Sequence, residues 1–168
     1  MIETKNFAPR EYQEEILKTA IRENTLVVLP TGLGKTAISM LLAIHRLKEY
    51  PNSKILLCAP TKPLCNQHMQ TFLDTTTISP GSITLLTGLI NPKLRKDLWE
   101  SATIIIATPQ TIESDIQQKR ISLKEVSLLC IDEAHHSRMK YANTSITQKY
   151  KEQSQFPRIL ALTASPGF

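Results

Sequence analysis

The stretch "TLVVLPTGLGKTAISMLL" (Thr25–Leu42) runs from a short apolar segment, through a loop holding two of the chain's five glycines, into a helical pattern. The first part, Thr25–Pro30, has the length and the β-branched character of a buried strand. From Thr36 to Tyr50 the apolar residues Ile38, Leu41, Leu42 and Leu47 fall at helical spacings, and Pro51 stops the run. Glycine is scarce here, so Gly32 and Gly34 mark a loop whose backbone must come close to something. A loop between a strand and a helix aims backbone N–H groups and the helix N-terminus at an anion. With G-K-T closing it, Thr31, Gly32, Leu33, Gly34 and Ala37 would cradle phosphate groups. Lys35 would reach the terminal phosphates and the Thr36 hydroxyl would help hold Mg²⁺.

The same alternation continues along the chain. Further apolar runs are "KILLCAP" (Lys54–Pro60), "SITLLTG" (Ser82–Gly88), "TIIIAT" (Thr103–Thr108), "VSLLCID" (Val126–Asp132) and "RILALTA" (Arg158–Ala164). Most are continuously apolar rather than alternating, as strands buried on both faces are. Helical patterns separate them over Leu64–Leu73, Pro92–Glu100 and Pro109–Lys119, two of which open with proline. The expected fold is α/β: a doubly wound, mainly parallel sheet with helices on both faces, in one domain spanning residues 1–168.

Composition sets the outer bounds. Hydrophobic residues make up 41% and charged residues 21% of 168, ordinary for a globular domain. No apolar run approaches the roughly 18 residues of a membrane span. The polar start "MIETKNFAPR" lacks the apolar core of a signal peptide, so a cytoplasmic, intracellular location is expected, nuclear in a eukaryote. The three cysteines, Cys58, Cys65 and Cys130, have neither disulfide nor C-x-x-C spacing. Net charge is +5, compatible with a polyanionic partner without requiring one.

"LLCIDEAHHSRM" (Leu128–Met139) then finds its chemistry. In doubly wound sheets, ligands bind beyond the carboxyl ends of the strands, and this strand delivers Asp132 and Glu133 there. Asp132 would hold Mg²⁺ through water, since Mg²⁺ sheds its water reluctantly. Glu133 would orient and deprotonate an attacking water. Zinc is disfavoured because adjacent His135 and His136 point apart and no remote Cys/His pair completes a tetrahedron. His136 reads as an exposed polar residue.

The general phosphate-loop pattern would place glycine at position 29, where this chain has Leu29. "PTGLGKT" instead has the form typical of superfamily 2 helicases. With "APTKPL", "TG" at Thr87–Gly88, "ATPQT", "IDEAH" and "LTASPG" following in order, the chain resembles the first RecA-like P-loop NTPase motor domain of the superfamily 2 DExD/H helicases. Within it, "LPTGLGKT", "ATPQTIE" and "ISLKEVSL" resemble the Hef group, which includes Mph1 and the Fanconi anaemia M translocase.

The resemblance implies ATP and Mg²⁺ as cofactors and nucleic acid as partner, DNA before RNA. "PREYQ" resembles the adenine-recognising segment: Gln13 would read the base edge and Arg10 pack on the ring. Without it, Gln13 is an exposed helix residue. His135 would couple the ATP site to Thr163 and Ser165 and to a second motor domain. Pro60, Thr61, Lys62, Thr87, Gly88, Thr108, Pro109 and Gln110 would meet the nucleic-acid backbone, which positions a strand without reading its sequence. The alternative for the prolines is that they only end strands or begin helices.

The family's later motifs, including the arginines reaching the ATP site from a second domain, are not in these 168 residues. The expectation is half a motor, binding Mg-ATP weakly and hydrolysing it poorly alone. The overall function implied is an ATP-dependent DNA helicase or translocase acting on forked or branched DNA in repair. "D-E-x-H-H" also resembles the duplex-RNA-sensing and Dicer-type helicases, which keeps an RNA track open. A third reading is a nucleotide-gated binding module that does not translocate; intact Lys35 and Glu133 argue against it.

Overall fold

A computed structural model describes residues 1–30 and 34–164 of the chain. Strands β1 (Thr25–Leu29), β2 (Lys54–Cys58), β3 (Ile83–Leu86), β4 (Ile104–Ala107), β5 (Val126–Ile131) and β6 (Ile159–Ala164) form one sheet. Its order is β1-β6-β5-β2-β4-β3, and every pairing is parallel. Helices α1 (Glu11–Arg22), α2 (Lys35–Glu49), α3 (Lys62–Thr75), α4 (Pro92–Ser101), α5 (Pro109–Gln117) and α6 (Lys140–Gln153) cover it.

The two faces follow from the direction of travel. From β1 through β2 to β3 the chain crosses the sheet one way, and from β3 back through β4 and β5 to β6 it returns. Right-handed crossovers therefore send the two sets of helices to opposite faces. On one face α1, α2 and α3 pack over Ile55, Leu57, Ile104, Ile106, Leu128, Cys130, Leu160 and Leu162. On the other, α4, α5 and α6 pack over Leu56, Cys58, Ile105, Ala107, Leu129 and Ile131. Consecutive residues of each central strand thus alternate between two cores, which explains the unbroken apolar runs.

β4 and β5 are buried throughout. The edge strand β1 is not: Leu26 is 61% and Val28 50% exposed, on the face opposite Val27.

The sheet matches the expected doubly wound parallel architecture. α6 was not foreseen. Its sequence "KYANTSITQKYKEQ" is mostly polar, and only Ala142, Asn143, Ile146 and Tyr150 are buried. Tyr150 fixes it, donating its hydroxyl to the Val126 carbonyl at 2.9 Å. Arg46 does comparable work for α2: almost fully buried, it donates through Nε to the Ser127 carbonyl and through Nη2 to the Phe156 carbonyl. The three cysteines are buried and unbridged.

Candidate nucleotide site

The carboxyl ends of β1, β5 and β6 lie side by side, because Leu29 pairs with Ala164 and Ile131 with Ala161. Whatever loops follow those strands must converge. Gly34 closes the β1 loop with φ +75°, a left-handed conformation that only glycine adopts freely, and caps α2. The first turn of α2 contains no acid, so nothing within the helix itself offsets the partial positive charge at its N-terminus. Thr31, Gly32 and Leu33 lie outside the described residues, as does Ser165.

Gln13 reaches this loop from α1. Its Oε1 accepts from the Arg10 backbone N–H at 2.8 Å, and its Nε2 donates to the Gly34 carbonyl at 3.4 Å. Gln13 is 4% exposed, so the plain reading of an exposed helix residue fails. α1 packs its inner face on α2 and hands Gln13 to the loop. Arg10 sits exposed at the start of α1.

After β5 the chain turns sharply. Asp132 N–H donates to the Cys58 carbonyl at 2.8 Å and Ala134 N–H to the Leu162 carbonyl at 3.0 Å, pinning the turn to strands on either side. Glu133 is held at φ +53°, a left-handed conformation costing about 1 kcal/mol for a side-chain-bearing residue. The turn aims both acids at α2. Lys35 Nζ lies 2.6 Å from Glu133 Oε1 and 3.6 Å from Asp132 Oδ1.

Asp132 is buried, with Oδ1 accepting from the Glu133 N–H and Oδ2 2.7 Å from His68 Nε2. Burial would push its carboxyl upward. The hydrogen bond and charge of His68, with the Lys35 ammonium and the Glu133 N–H, outweigh that and hold it below the usual carboxylate range. Asp132 and the Thr36 hydroxyl are hard oxygen donors, a set that fits Mg²⁺.

His135 is exposed, with Nδ1 hydrogen-bonded to Thr163 Oγ1 and Nε2 3.4 Å from Glu133 Oε2. His136 is half-buried rather than exposed, because it begins the short 3₁₀ turn Ser137–Met139 that leads into α6.

The other loops at this end carry the candidate nucleic-acid residues. Thr61 and Lys62 are exposed, and the Thr61 hydroxyl caps α3 by accepting from Leu64 N–H. Gly88 and Gln110 are exposed, and Thr87 and Thr108 half-buried. Pro60 and Pro109 are buried; Pro60 follows β2 and Pro109 opens α5. The segment Thr87–Asn91 is held from below by Arg95, which donates to the Ile90 carbonyl. The same guanidinium makes two bonds to fully buried Asp115, at 2.9 and 2.8 Å, and Arg120 adds a third at 2.7 Å.

The DEAD/DEAH box helicase profile matches residues 10–167, nearly the whole chain. The chain belongs to the DEAD/DEAH box helicases. Among its relatives is a Methanocaldococcus jannaschii protein carrying the name of an ATP-dependent RNA helicase, 42% identical over 99% of this helicase chain and 21% of its own. The Neurospora crassa ATP-dependent DNA helicase mph1 is 40% identical over 96% of the chain and 14% of its own length. The crystal structure of the Pyrococcus furiosus Hef helicase domain superposes with a TM-score of 0.88 at 46% identity, covering 95% of this chain and 34% of that one. The helicase chain thus spans about a fifth or less of these two curated relatives. No helix among its described residues is long and apolar enough to cross a membrane.

Sequence reasoning missed His68 and the Arg95–Asp115–Arg120 cluster. His68 did leave a trace, a polar residue at i+3 from Cys65 and i−4 from Phe72 on the buried face of a helix.

Proposed function

We propose that this chain is the first of two RecA-like motor domains of an ATP-dependent DNA helicase or translocase acting on forked or branched DNA in repair. The observation that carries the reading is the meeting of Lys35, at the start of α2, with Glu133 and Asp132 at the end of β5. Family membership implies ATP as the nucleotide. Its phosphates would sit on the α2 N-terminus and the Gly34 backbone, with Lys35 on the terminal phosphates. Gln13 would meet the adenine edge and Arg10 its ring. Thr36 and Asp132 would hold Mg²⁺, which would neutralise charge on the terminal phosphates.

Lys35 cannot serve Glu133 and a phosphate equally. Phosphate oxygens entering the loop compete for the ammonium, and Glu133, released from it, is left to accept a proton from the attacking water. The transition-state charge then needs a cation from outside this fold. An arginine supplied by a partner domain is worth on the order of 10³–10⁵ in rate in related NTPases. His135 and Thr163 would report the state of the site to that domain. Thr61, Lys62, Thr87, Gly88, Thr108 and Gln110 would grip a phosphate backbone through hydroxyls, N–H groups and charge.

Phosphate release by the 168-residue chain, with Mg-ATP and forked DNA, tests this beside Lys35→Ala. We expect Lys35-dependent nucleotide binding with little turnover, and turnover restored when a second motor domain is present in cis. A chain that binds no nucleotide, or binds it equally well as Lys35→Ala, removes the proposal. The relative named as an RNA helicase supports a second track, duplex RNA. Equal stimulation of the two-domain protein by duplex RNA and forked DNA would favour it.

A further inference from the structure

His68 lies on α3, with one ring edge against the carboxylate that would hold Mg²⁺. Its Nε2 is 2.7 Å from Asp132 Oδ2, and the two residues are 1% and 4% exposed. Oδ2 of Asp132 faces that nitrogen, and a carboxylate oxygen accepts. The proton between them therefore sits on Nε2. The other nitrogen, Nδ1, is buried and has no hydrogen-bond partner among the described residues. Among the described residues, the polar group that orients the ring is Asp132.

Packing alone explains this poorly. His68 shares its helix face with buried Cys65 and Phe72, where an apolar side chain would fill the same space. A buried imidazole with one nitrogen unmet carries a desolvation penalty that such a residue avoids. What an apolar residue could not do is fix the second oxygen of Asp132. With Glu133 N–H on Oδ1 and His68 Nε2 on Oδ2, both oxygens are fastened and the carboxylate plane is set. Each oxygen still keeps a second lone pair. Carboxylates that bind metals are commonly held in this way, and losing such a partner typically weakens metal binding about 10- to 100-fold.

We infer that His68 is a positioning residue that locks the Asp132 carboxylate in the orientation required by the divalent cation accompanying ATP. This rests on the nucleotide reading above. It predicts that His68 matters to nucleotide binding only through the metal.

The test is the affinity of the 168-residue chain for a fluorescent ATP analogue, measured with Mg²⁺ and with chelator. The variants are His68→Leu, His68→Gln, Asp132→Asn and the His68→Leu/Asp132→Asn double. His68→Leu fills the site without a donor; His68→Gln restores an N–H donor at similar reach. We expect Mg²⁺ to tighten binding in the parent and His68→Leu to lose about tenfold of that gain. Binding in chelator should stay unchanged, which a loosened fold would not allow. His68→Gln should recover most of the Mg²⁺ gain, and the double variant should match Asp132→Asn alone. A Mg²⁺ gain intact in His68→Leu overturns the inference and leaves the nucleotide reading standing, as does a double variant in which the two losses add. A parent chain with no Lys35-dependent binding sinks both together.

Discussion

Lys35 Nζ sits 2.6 Å from Glu133 Oε1, so the lysine expected on the terminal phosphate and the acid expected to activate water neutralise each other before any nucleotide arrives. The two side chains are 14% and 21% exposed, sheltered enough for the pair to matter and open enough to be broken. A partly exposed pair of this kind is worth about 1 kcal/mol. Glu133→Gln should therefore bind an ATP analogue two- to fivefold more tightly than the parent, while Lys35→Ala binds at least tenfold more weakly. Equilibrium titration of a fluorescent analogue reads both. Weaker binding by Glu133→Gln would mean that the pair organises the site instead of guarding it.

Gly34 tests the link between the loop and the adenine segment. A Cβ added there would lie 2.6 Å from Gln13 Nε2, on a backbone at φ +75°. Gln13 is buried, with its Oε1 committed to Arg10 N–H, and has little room to swing away. Gly34→Ala should lower stability by about 1–2 kcal/mol and weaken nucleotide binding as well. Adding Gln13→Ala should recover part of the stability, since the clash goes and the strain stays, but none of the binding. Chemical denaturation and nucleotide titration separate the two effects.

Acid should weaken the fold in a defined window. Burial pushes the Asp115 carboxyl up, but the hydrogen bonds from Arg95 and Arg120 and their charges outweigh it and hold it below the usual range. Asp132 behaves likewise through His68 and Lys35. Groups with depressed folded values stabilise fully above the unfolded carboxylate value of about 4. That contribution is lost as pH falls through the lower folded value, because the unfolded state takes up protons first. Denaturation midpoints should be flat near neutrality and fall below about pH 4. Asp115→Asn should cost about 3–5 kcal/mol at neutral pH by leaving two guanidinium groups without their carboxylate. It should also flatten, without abolishing, the acid slope, since Asp132 still titrates.

Lys62 offers a charge without a structural duty, exposed at the start of α3. If it meets a phosphate backbone, Lys62→Ala should weaken single-stranded DNA binding uniformly across sequences. The slope of log affinity against log salt should also fall by about one. An unchanged slope would remove Lys62 from the interface.

How far the sequence alone reaches differs from element to element. The central strands were legible because both faces of a covered parallel sheet want apolar side chains, so runs such as "TIIIAT" carry no competing pattern. α2 was legible from Ile38, Leu41, Leu42 and Leu47 at helical spacings and from Pro51, which ends it. α6 was not: it rests on the sheet through four buried positions, and its many polar residues hide the helical period. The acids Asp132 and Glu133 could be placed from strand logic, since a strand's end fixes where its next residues go. The partner of Asp132 could not, because His68 is 64 positions away and nothing local announces the pairing. Pro60 and Pro109 show the converse limit. Their place in a motif says where the loop is, while burial decides whether the ring itself is available.

The strand bearing the phosphate loop is made early and seated late. β1 is an edge strand whose one neighbour is β6, and Asn24 Oδ1, just before it, waits for the N–H of Ile159, 135 positions on. At about 5–20 residues per second of synthesis, that partner emerges on the order of ten seconds later. Throughout that interval Leu26, Val27 and Val28 lack the strand that they pair with in the sheet, and a pairing this remote in sequence is slow to close even once both strands exist. The crevice shared by β1 and β5 is therefore completed only when β6 pairs between them. A nascent chain stalled before Ile159 would carry its G-K-T loop on an unpaired strand, with no adjoining β6 to hold it beside Asp132 and Glu133.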